Sequence, residues 1–417
     1  MKKKILIVVL FVIVKVGAQT PTFSAIDSLV ENGRYLIALD KLKAIQPPSF
    51  LANYKTALIY ESIDNYKQTI AYLEKALRFK ENKKASLKLA KAYLRISKSN
   101  KAITIYEDLV EKDTSNLILK YQLGKLYLKN RKPKKAIAVF KNLIAKDSLN
   151  PHFSYQLGLA YALNRDNNRK MNSFLDVVKK DSTHLKAMTK LASSYFYLKD
   201  KDSTYLYINK GLQVNPNHIS LNRIKANQLY REKDFKAIVP VLLQLDSLEK
   251  MEHFTNNMLG KVYYQKEDYK NAAKRFKNVV KIDTQDFKAY TYLGNIALKE
   301  KNYKIARLYY FRATTVGKEK RDDAFYGLAT MAYEQKKPQT AIRYFKKAFE
   351  ENSRNYKALF QLARLSDDYY EDKKIAYKHY KTFKKMFLNR DKEMSDFVES
   401  RITAIKKAFF IKGESLE

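Results

Sequence analysis

A similar ten-residue phrase returns in this chain after 34 residues. "YQLGKLYLKN" begins at Tyr121, and "YQLGLAYALN" begins at Tyr155. Gly260 in "MLGKVYY" and Gly294 in "YLGNIAL" occupy the same slot three and four periods after Gly158. Because a glycine inside an amphipathic helix costs about 1 kcal/mol relative to alanine, its return to one slot indicates a packing requirement. The period predicts an array of small repeated units.

Other slots repeat in phase with the glycine. A small residue occupies the glycine slot in further repeats, a tyrosine follows three residues later, an alanine twelve later and a large residue sixteen later. Apolar residues recur at three- and four-residue intervals, so each repeat is predicted to be two amphipathic helices joined by a short polar turn. The large-residue slot holds Tyr106, Phe140, Phe174, Phe276 and Tyr310.

A 34-residue helix–turn–helix unit with this pattern resembles the tetratricopeptide repeat (TPR). The resemblance implies an all-α, right-handed superhelical solenoid of about eleven TPR-like repeats with a C-terminal capping helix. Pro240 departs from the pattern and is expected to kink or shorten the second helix of its repeat. The repeats are expected to start near residues 19, 50, 83, 117, 151, 185, 219, 253, 287, 322 and 356.

The two ends of the chain are predicted to differ from the array, which should cover 19–389. Three lysines and an apolar run over 5–14 precede Ala18, which suits cleavage after it or after Gln19. We therefore expect a signal peptide at 1–18, with an uncleaved N-terminal anchor as the alternative. Residues 390–417 are expected to form the capping helix and tail. No later segment is a transmembrane candidate, so the mature protein is expected to be periplasmic or secreted, in the bacterial cell envelope.

The sequence offers no pattern typical of an enzyme. The chain has no cysteine, which excludes disulfides, thiolate metal sites and cysteine nucleophiles. His152, His184, His218 and His253 lie near repeat junctions, and helices packed roughly 8–10 Å apart do not let two of them share a zinc ion. Paired acids fall at solvated turns, and no glycine-rich phosphate loop appears. We expect a non-enzymatic protein with no cofactor, no metal and no small-molecule substrate.

The net charge of +38 predicts attraction to polyanions. In the resembled family, positions 2, 5, 6, 9, 12 and 13 of each repeat usually face the ligand in a concave groove. In the seven repeats from 83 to 287, thirteen of these positions hold Lys or Arg and none holds Asp or Glu. Two interpretations stay open: a selected basic groove, or a basic protein that shows its average surface.

The partner expected for such a groove is an acidic or extended segment of another protein. The alternative is an anionic polymer such as an acidic polysaccharide, and export makes nucleic acid a less suitable partner. The place most similar to a carboxylate clamp is the set Arg223, Asn227, Asn257 and Lys288, which does not match a clamp fully. The candidate ligand-binding residues are Lys84, Lys88, Lys91, Arg95, Tyr121, Lys125, Lys129, Tyr155, Lys186, Lys190, Tyr197, Arg223, Asn227, Tyr230, Asn257, Lys261, Lys288, Tyr292 and Asn295.

Overall fold

The structure, a computed structural model, describes residues 22–316 and 321–416. The expected signal peptide at 1–18 lies outside these ranges. Within them the chain forms 23 α-helices and no β-strand. None of the helices in these ranges has both the length and the apolar character needed to cross a bilayer.

The helices, numbered α1 to α23 in chain order, form eleven successive hairpins and one final helix, which confirms the all-α repeat architecture. Their bounds are 22–31 (α1), Tyr35–Lys43 (α2), Phe50–Ser62 (α3), Tyr66–Phe79 (α4), Lys83–Arg95 (α5), Ser99–Lys112 (α6), Leu117–Lys129 (α7), Pro133–Lys146 (α8), Pro151–Leu163 (α9), Asn167–Lys180 (α10), Leu185–Leu198 (α11), Lys201–Val214 (α12), Ile219–Arg231 (α13), Phe235–Leu248 (α14), His253–Gln265 (α15), Tyr269–Ile282 (α16), Phe287–Lys299 (α17), Tyr303–Thr315 (α18), Asp322–Glu334 (α19), Pro338–Glu351 (α20), Tyr356–Tyr369 (α21), Lys373–Phe387 (α22) and Lys392–Ile411 (α23).

All the described hairpins except that of α21 and α22 turn at a residue in the left-handed region of backbone conformation. In the repeat from 117 this residue is Arg131, with φ of 53°. The N–H of Lys132 donates to the carbonyl of Tyr127 at 2.8 Å, and the N–H of Arg131 donates to that of Leu128 at 3.1 Å, which is the Schellman pattern of a helix end. The same turn recurs at position 15 of nine repeats, with φ between 53° and 61°, at Asp64, Ser97, Arg131, Arg165, Lys199, Lys233, Glu267, Lys301 and Lys336.

The helix that follows each turn is often started by an Asn or Asp side chain. Asp166 accepts a hydrogen bond from the N–H of Arg169 at 3.0 Å, and Asp268 accepts one from the N–H of Asn271 at 3.1 Å. These caps satisfy N–H groups that lack partners inside the helix. Where turn and cap occur together, they fix where the first helix ends and the second begins, so these repeats present the same positions in the same places.

The glycine slot packs against the large-residue slot of the same hairpin. A Cβ atom added at Gly158 would lie 2.6 Å from the ring of Phe174, and one added at Gly260 would lie 2.9 Å from Phe276. Gly124 and Gly294 meet Phe140 and Tyr310 in the same way. These four rings are at most 1% exposed. The glycine therefore returns because an aromatic ring of the second helix occupies the space of its missing side chain.

The described residues divide into two compact bodies, one that ends at Ser194 and one that begins at Tyr195. The boundary falls in α11, which no glycine or proline signal marks in the sequence. In the first body a core cluster extends from Ala57 to Ala160, and in the second body separate clusters follow the hairpins. We refer to these as the N-terminal body and the C-terminal body.

Of the two effects expected of Pro240, a kink or a shorter helix, the shortening does not occur. Pro240 lies inside α14, which has 14 residues, the same length as α16. The proline ring removes the hydrogen bond that its N–H would donate to the carbonyl of Lys236. Because Pro240 and Lys236 are both exposed, water can satisfy that carbonyl, and the helix continues.

A buried carboxylate ties α23 to the last hairpin. Asp367 is 5% exposed and accepts a hydrogen bond from Arg401 Nε of α23 at 2.8 Å. The hydroxyl of Tyr380 donates to the same carboxylate at 3.3 Å, and Lys373 Nζ lies 3.8 Å away. Val398, Ile405 and Phe409 of α23 complete the core cluster that contains Tyr380.

We predict that replacing Gly158 with leucine will destabilise the protein, because the new side chain has to displace the buried ring of Phe174. The loss should be on the order of 1–3 kcal/mol or more, measured by chemical denaturation. The matched control is Ala162→Leu on the exposed side of the same helix, which should change stability by only about 0.5 kcal/mol. Equal effects of the two changes would contradict the packing assignment.

A compensating pair should repair part of this damage. The repeat from 219 carries Ala226 in the glycine slot and Leu242 in the large slot, both fully buried in one cluster. We therefore expect Gly158→Ala to become less destabilising when it is combined with Phe174→Leu, as a double-mutant cycle would measure. Additive effects would show that residues 158 and 174 do not contact each other.

Replacing Arg401 with alanine should loosen α23. The change removes the closest charged partner of the buried Asp367, and an unsatisfied buried acceptor costs about 1–3 kcal/mol. Denaturation and amide hydrogen exchange in α23 provide the measurements. As a control, Lys384→Ala removes an ion pair between α22 and Glu399 of α23 at 2.7 Å in which both side chains are 47% exposed; such pairs contribute about 1 kcal/mol or less. Comparable loosening by both changes would refute the role given to Asp367.

Candidate functional site

The sequence-predicted ligand-binding residues all lie on first helices, and the structure buries none of them. Nine are exposed: Lys84, Lys91, Arg95, Lys125, Lys129, Lys186, Lys190, Tyr197 and Lys288. Ten are partly buried: Lys88, Tyr121, Tyr155, Arg223, Asn227, Tyr230, Asn257, Lys261, Tyr292 and Asn295. These residues do not form a uniform basic surface, because some of their charges are paired with acids of the same protein.

A cavity of about 790 Å³ lies among the first helices α15, α17 and α19 of the C-terminal body. In α17, the residues at all six groove positions line the cavity. Three residues of α15 and five residues of α19 line it as well. Its volume falls within the roughly 300–1,000 Å³ of pockets that bind small ligands. Among the sequence-predicted residues it brings together Lys261, Lys288, Tyr292 and Asn295.

Lys261 is the cation that the cavity walls enclose most. It is partly buried, and its ammonium group makes no hydrogen bond or ion pair with any residue in 22–316 or 321–416. Burial, and secondly repulsion by the ammonium group of Lys288, lower the pKa of Lys261. A bound anion would relieve both effects, because it would replace the lost water and balance the charge.

The other side of the cavity carries acids that the sequence analysis missed. Asp323 and Glu334 of α19 line it, and neither carboxylate has an ion pair in the described part of the chain. Solvent reaches Asp323, but the walls restrict its hydration; this, together with the neighbouring Asp322, raises the pKa of Asp323. The same six-position rule, applied to the repeat from 322, places Asp323 at position 2 and Glu334 at position 13.

Tyrosine rings form the floor between the two sides. Tyr292 stacks on the buried ring of Phe276, with ring centroids 4.5 Å apart, and meets Tyr264 edge-on at 5.2 Å. Burial raises the pKa of Tyr292 to about 12, so its hydroxyl stays protonated as a hydrogen-bond donor. The hydroxyl of Tyr310 donates to Asn295 Oδ1 at 2.7 Å. Asn295 is therefore already engaged by the core.

In the N-terminal body the predicted aromatic residues also cover the core. The ring of Tyr121 packs against that of Phe140 with their centroids 6.2 Å apart, and the ring of Tyr155 packs against that of Phe174 with their centroids 5.6 Å apart. Each therefore has one side in the core and one side open to solvent. The ammonium of Lys125 lies over the ring of Tyr121, 5.5 Å from its centroid.

At least two of the predicted cations form ion pairs with acids among the described residues. Lys88 pairs with Glu61 of the preceding first helix at 2.6 Å. Arg223 pairs with Glu249 at 2.7 Å and with Glu252 at 3.2 Å. Glu61 is at groove position 12 of the repeat from 50, before the seven repeats that were counted, and Glu249 and Glu252 lie outside the six positions. The count of basic positions therefore overstates the uncompensated charge. Of the clamp-like set, only Lys288 lines the cavity.

Two of the histidines, His184 and His218, cap the starts of helices. Nδ1 of His184 accepts a hydrogen bond from the N–H of Ala187 at 3.1 Å, and Nδ1 of His218 accepts one from that of Leu221 at 3.3 Å. His253 Nε2 lies 2.9 Å from Asp286, whose other oxygen accepts from the N–H of Ala289 at 2.8 Å.

One group in the described ranges has donor atoms close enough for a metal ion: His253, Asp283 and Asp286, within 4.8 Å of one another. Asp286 caps α17 and contacts His253. Asp283 accepts from the N–H of Gln285 at 2.9 Å. Their capping roles account for the cluster without an ion.

These features define a class of protein: a helical repeat protein whose first helices expose basic and aromatic side chains. The sequence matches three family models of the tetratricopeptide repeat. One matches residues 121–169 and 257–324, a second 84–114 and 323–353, and a third 52–83. The chain belongs to the tetratricopeptide-repeat family, whose fold implies protein partners and is generally that of non-enzymatic scaffolds.

Solved structures with the same fold are distant in sequence. The yeast Tom70 structure is 13% identical, with a TM-score of 0.44, and the match covers 95% of this chain and 97% of that one. The APC/C hetero-tetramer Cut9–Hcn1 is 13% identical with a TM-score of 0.45, covering 91% of this chain and 82% of that one. The C-terminal part of a TPR repeat-containing protein from Cytophaga hutchinsonii is 19% identical with a TM-score of 0.41, covering 65% and 99%. No curated protein matches the sequence.

The electrostatics of the cavity can be tested directly on Lys261. We expect its pKa, followed through its ¹³Cε shift, to lie below the ordinary value of about 10.4. Lys288→Met should raise it partway, because repulsion is removed while burial remains. Lys274→Met, an exposed change on α16, should leave it in place. An ordinary pKa for Lys261 in the unchanged protein would show that the cavity does not restrict its hydration.

Proposed function

We propose that this protein is an exported, non-enzymatic interaction scaffold of the bacterial cell envelope that binds an extended or acidic segment of another protein. The binding surface is the side of the first helices that carries basic and aromatic residues. One observation carries the proposal: from 83 to 287 the six groove positions hold thirteen cations and no acid. In α17 all six of these positions line one cavity.

The arrangement of charge supports an acidic partner. Lys91, Arg95, Lys125 and Lys129 are exposed on the neighbouring first helices α5 and α7, and none of them forms an ion pair with the described residues. Four cations on adjacent helices attract an extended polyanion, because each new acidic residue of the partner meets another positive charge. Export is proposed from the lysines and apolar run that precede Ala18.

An acidic polysaccharide is the second candidate partner. It is favoured by Tyr197, whose ring is 77% exposed on α11 next to Phe196. The guanidinium of Arg231 lies 3.6 Å from the centroid of the Phe196 ring. An exposed tyrosine beside a cation stacked on an aromatic ring suits a ligand made of charged rings.

Reversing the four charges on α5 and α7 should weaken binding of an acidic polypeptide. We expect Lys91→Glu, Arg95→Glu, Lys125→Glu and Lys129→Glu together to reduce the affinity for fluorescently labelled poly-L-glutamate by about tenfold or more at physiological salt. Stability should change little, since exposed substitutions usually contribute about 0.5 kcal/mol or less each. Fluorescence anisotropy and thermal unfolding provide the two measurements.

The control places an equal number of reversals on second helices of the same body. Lys134, Lys141, Lys146 and Lys179 are exposed there without ion-pair partners among the described residues, whereas Lys135 is left unchanged because it pairs with Glu107 at 2.9 Å. Both variants have the same net charge. Equal losses of affinity would mean that only total charge matters, and the groove proposal would fail. Stronger binding of polygalacturonate than of poly-L-glutamate, lost in the first variant alone, would favour the polysaccharide.

A further inference from the structure

We propose that the cavity among α15, α17 and α19 binds an internal peptide segment of mixed charge, with an acidic side chain directed at α15 and a basic side chain directed at α19. This inference rests on the proposed function, because it specifies which kind of segment the same surface takes in the C-terminal body. It differs from that proposal in one respect: a purely acidic segment does not fit this cavity.

The positive pole is Lys261 on α15. Its ammonium group lies in the cavity wall and has neither a hydrogen bond nor an ion pair in 22–316 and 321–416. The nearest carboxylate that attracts it is that of Asp286, which already caps α17 and contacts His253. A carboxylate from a partner would therefore find a partly desolvated cation that the protein itself leaves uncompensated.

The negative pole is formed by Asp323 and Glu334 on α19. Both line the same cavity, and in the described ranges both lack an ion-pair partner. Lys288 of α17, which also lines the cavity, attracts Asp323 electrostatically. Glu334 acts electrostatically on Tyr310 at the base of the cavity, and Asp323 acts on Tyr292. Two carboxylates repel a second acidic side chain of the ligand at this end and attract a lysine or arginine.

The distance between the poles sets the spacing in the ligand. First helices of successive repeats pack roughly 8–10 Å apart, so α15 and α19, with α17 between them, lie roughly 16–20 Å apart. An extended chain advances about 3.3–3.6 Å per residue. After allowance for the reach of the side chains, the acidic and the basic residue should be about three to six positions apart.

The floor of the cavity suits a peptide backbone between these two side chains. Tyr264, Tyr292 and Tyr326 line it, and their hydroxyl groups make no hydrogen bond to the described residues. Phenol hydroxyls donate and accept hydrogen bonds, and their rings offer apolar surface for the ligand's intervening side chains. A cavity that bound only a single anion would need neither the length of this floor nor the acids beyond it.

The test begins with an unbiased selection on the full chain. Random decapeptides are displayed between two folded domains, so that the library presents no free terminal carboxylate, and are selected for binding. We expect enriched sequences to contain an acidic and a basic residue at a fixed separation of about three to six positions. The enriched peptide is then synthesised with blocked ends, and its Kd is measured by fluorescence anisotropy.

Two variants assign the ends of the peptide. Lys261→Met should weaken binding by about tenfold or more, and exchanging the peptide's acidic residue for glutamine should then have little further effect. Asp323→Asn with Glu334→Gln should do the same for the basic residue. The matched controls are Lys274→Met, and Glu300→Gln with Glu371→Gln, which change exposed residues outside the cavity.

Each result decides the proposal. A mixed-charge consensus whose acidic and basic residues couple to Lys261 and to α19 supports it. Enrichment of acidic sequences alone, of no sequence, or of peptides that bind the variants and the controls equally would overturn it. Acidic peptides whose binding is lost when the four charges on α5 and α7 are reversed would overturn this inference while supporting the proposed function.

Discussion

An aromatic ring that fills the space of a missing side chain fixes the geometry of the four hairpins with Gly124, Gly158, Gly260 and Gly294. The pairs are sixteen residues apart, as Gly124 and Phe140 illustrate, and the ring loses almost all exposure. Because the ring fits only when the two helices approach closely, it fixes their separation and register. The left-handed turn residue and the Asn or Asp cap then set where the next helix starts. The positions that face outward on the first helices depend on this contact.

This dependence explains why the sequence predicts the fold so fully. Short-range signals determine each hairpin: the period, the small slot, and the turn with its cap. The ten expected repeat starts from 50 to 356 coincide with the first residues of the odd-numbered helices from α3 to α21, which are the first helices of their repeats. The shortening predicted at Pro240 does not occur. A local rule about proline ignores whether water can reach the freed carbonyl. The division of the chain within α11 has no such local signal.

The candidate site was only partly predictable, for a different reason. A repeat pattern predicts which positions face outward, but it does not predict which of them find partners. Arg223 is paired with Glu249 and Glu252, which are 26 and 29 residues further along and outside the pattern. Asp323 was missed because the groove positions were counted only in the repeats from 83 to 287, although the repeat from 322 carries Ala329 in the small slot, as the repeat from 83 carries Ala90. The rule for outward positions also holds in the repeat from 322, because this repeat has the same helix start and the same turn.

The net charge of +38 makes the whole surface attractive to anions, so charge alone does not distinguish a site. Burial does. An exposed lysine keeps its water and contributes to solubility at little expense. Lys261 loses water, is repelled by Lys288 and finds no counter-ion among the described residues, and each of these effects destabilises the folded protein. A surface selected only for solubility gains nothing from a lysine in this position. The same reasoning applies to Asp323, which is held near Asp322 on the opposite side of the cavity. Lys288 attracts Asp323 but repels Lys261. A ligand with the complementary order of charges would compensate both sides of the cavity together.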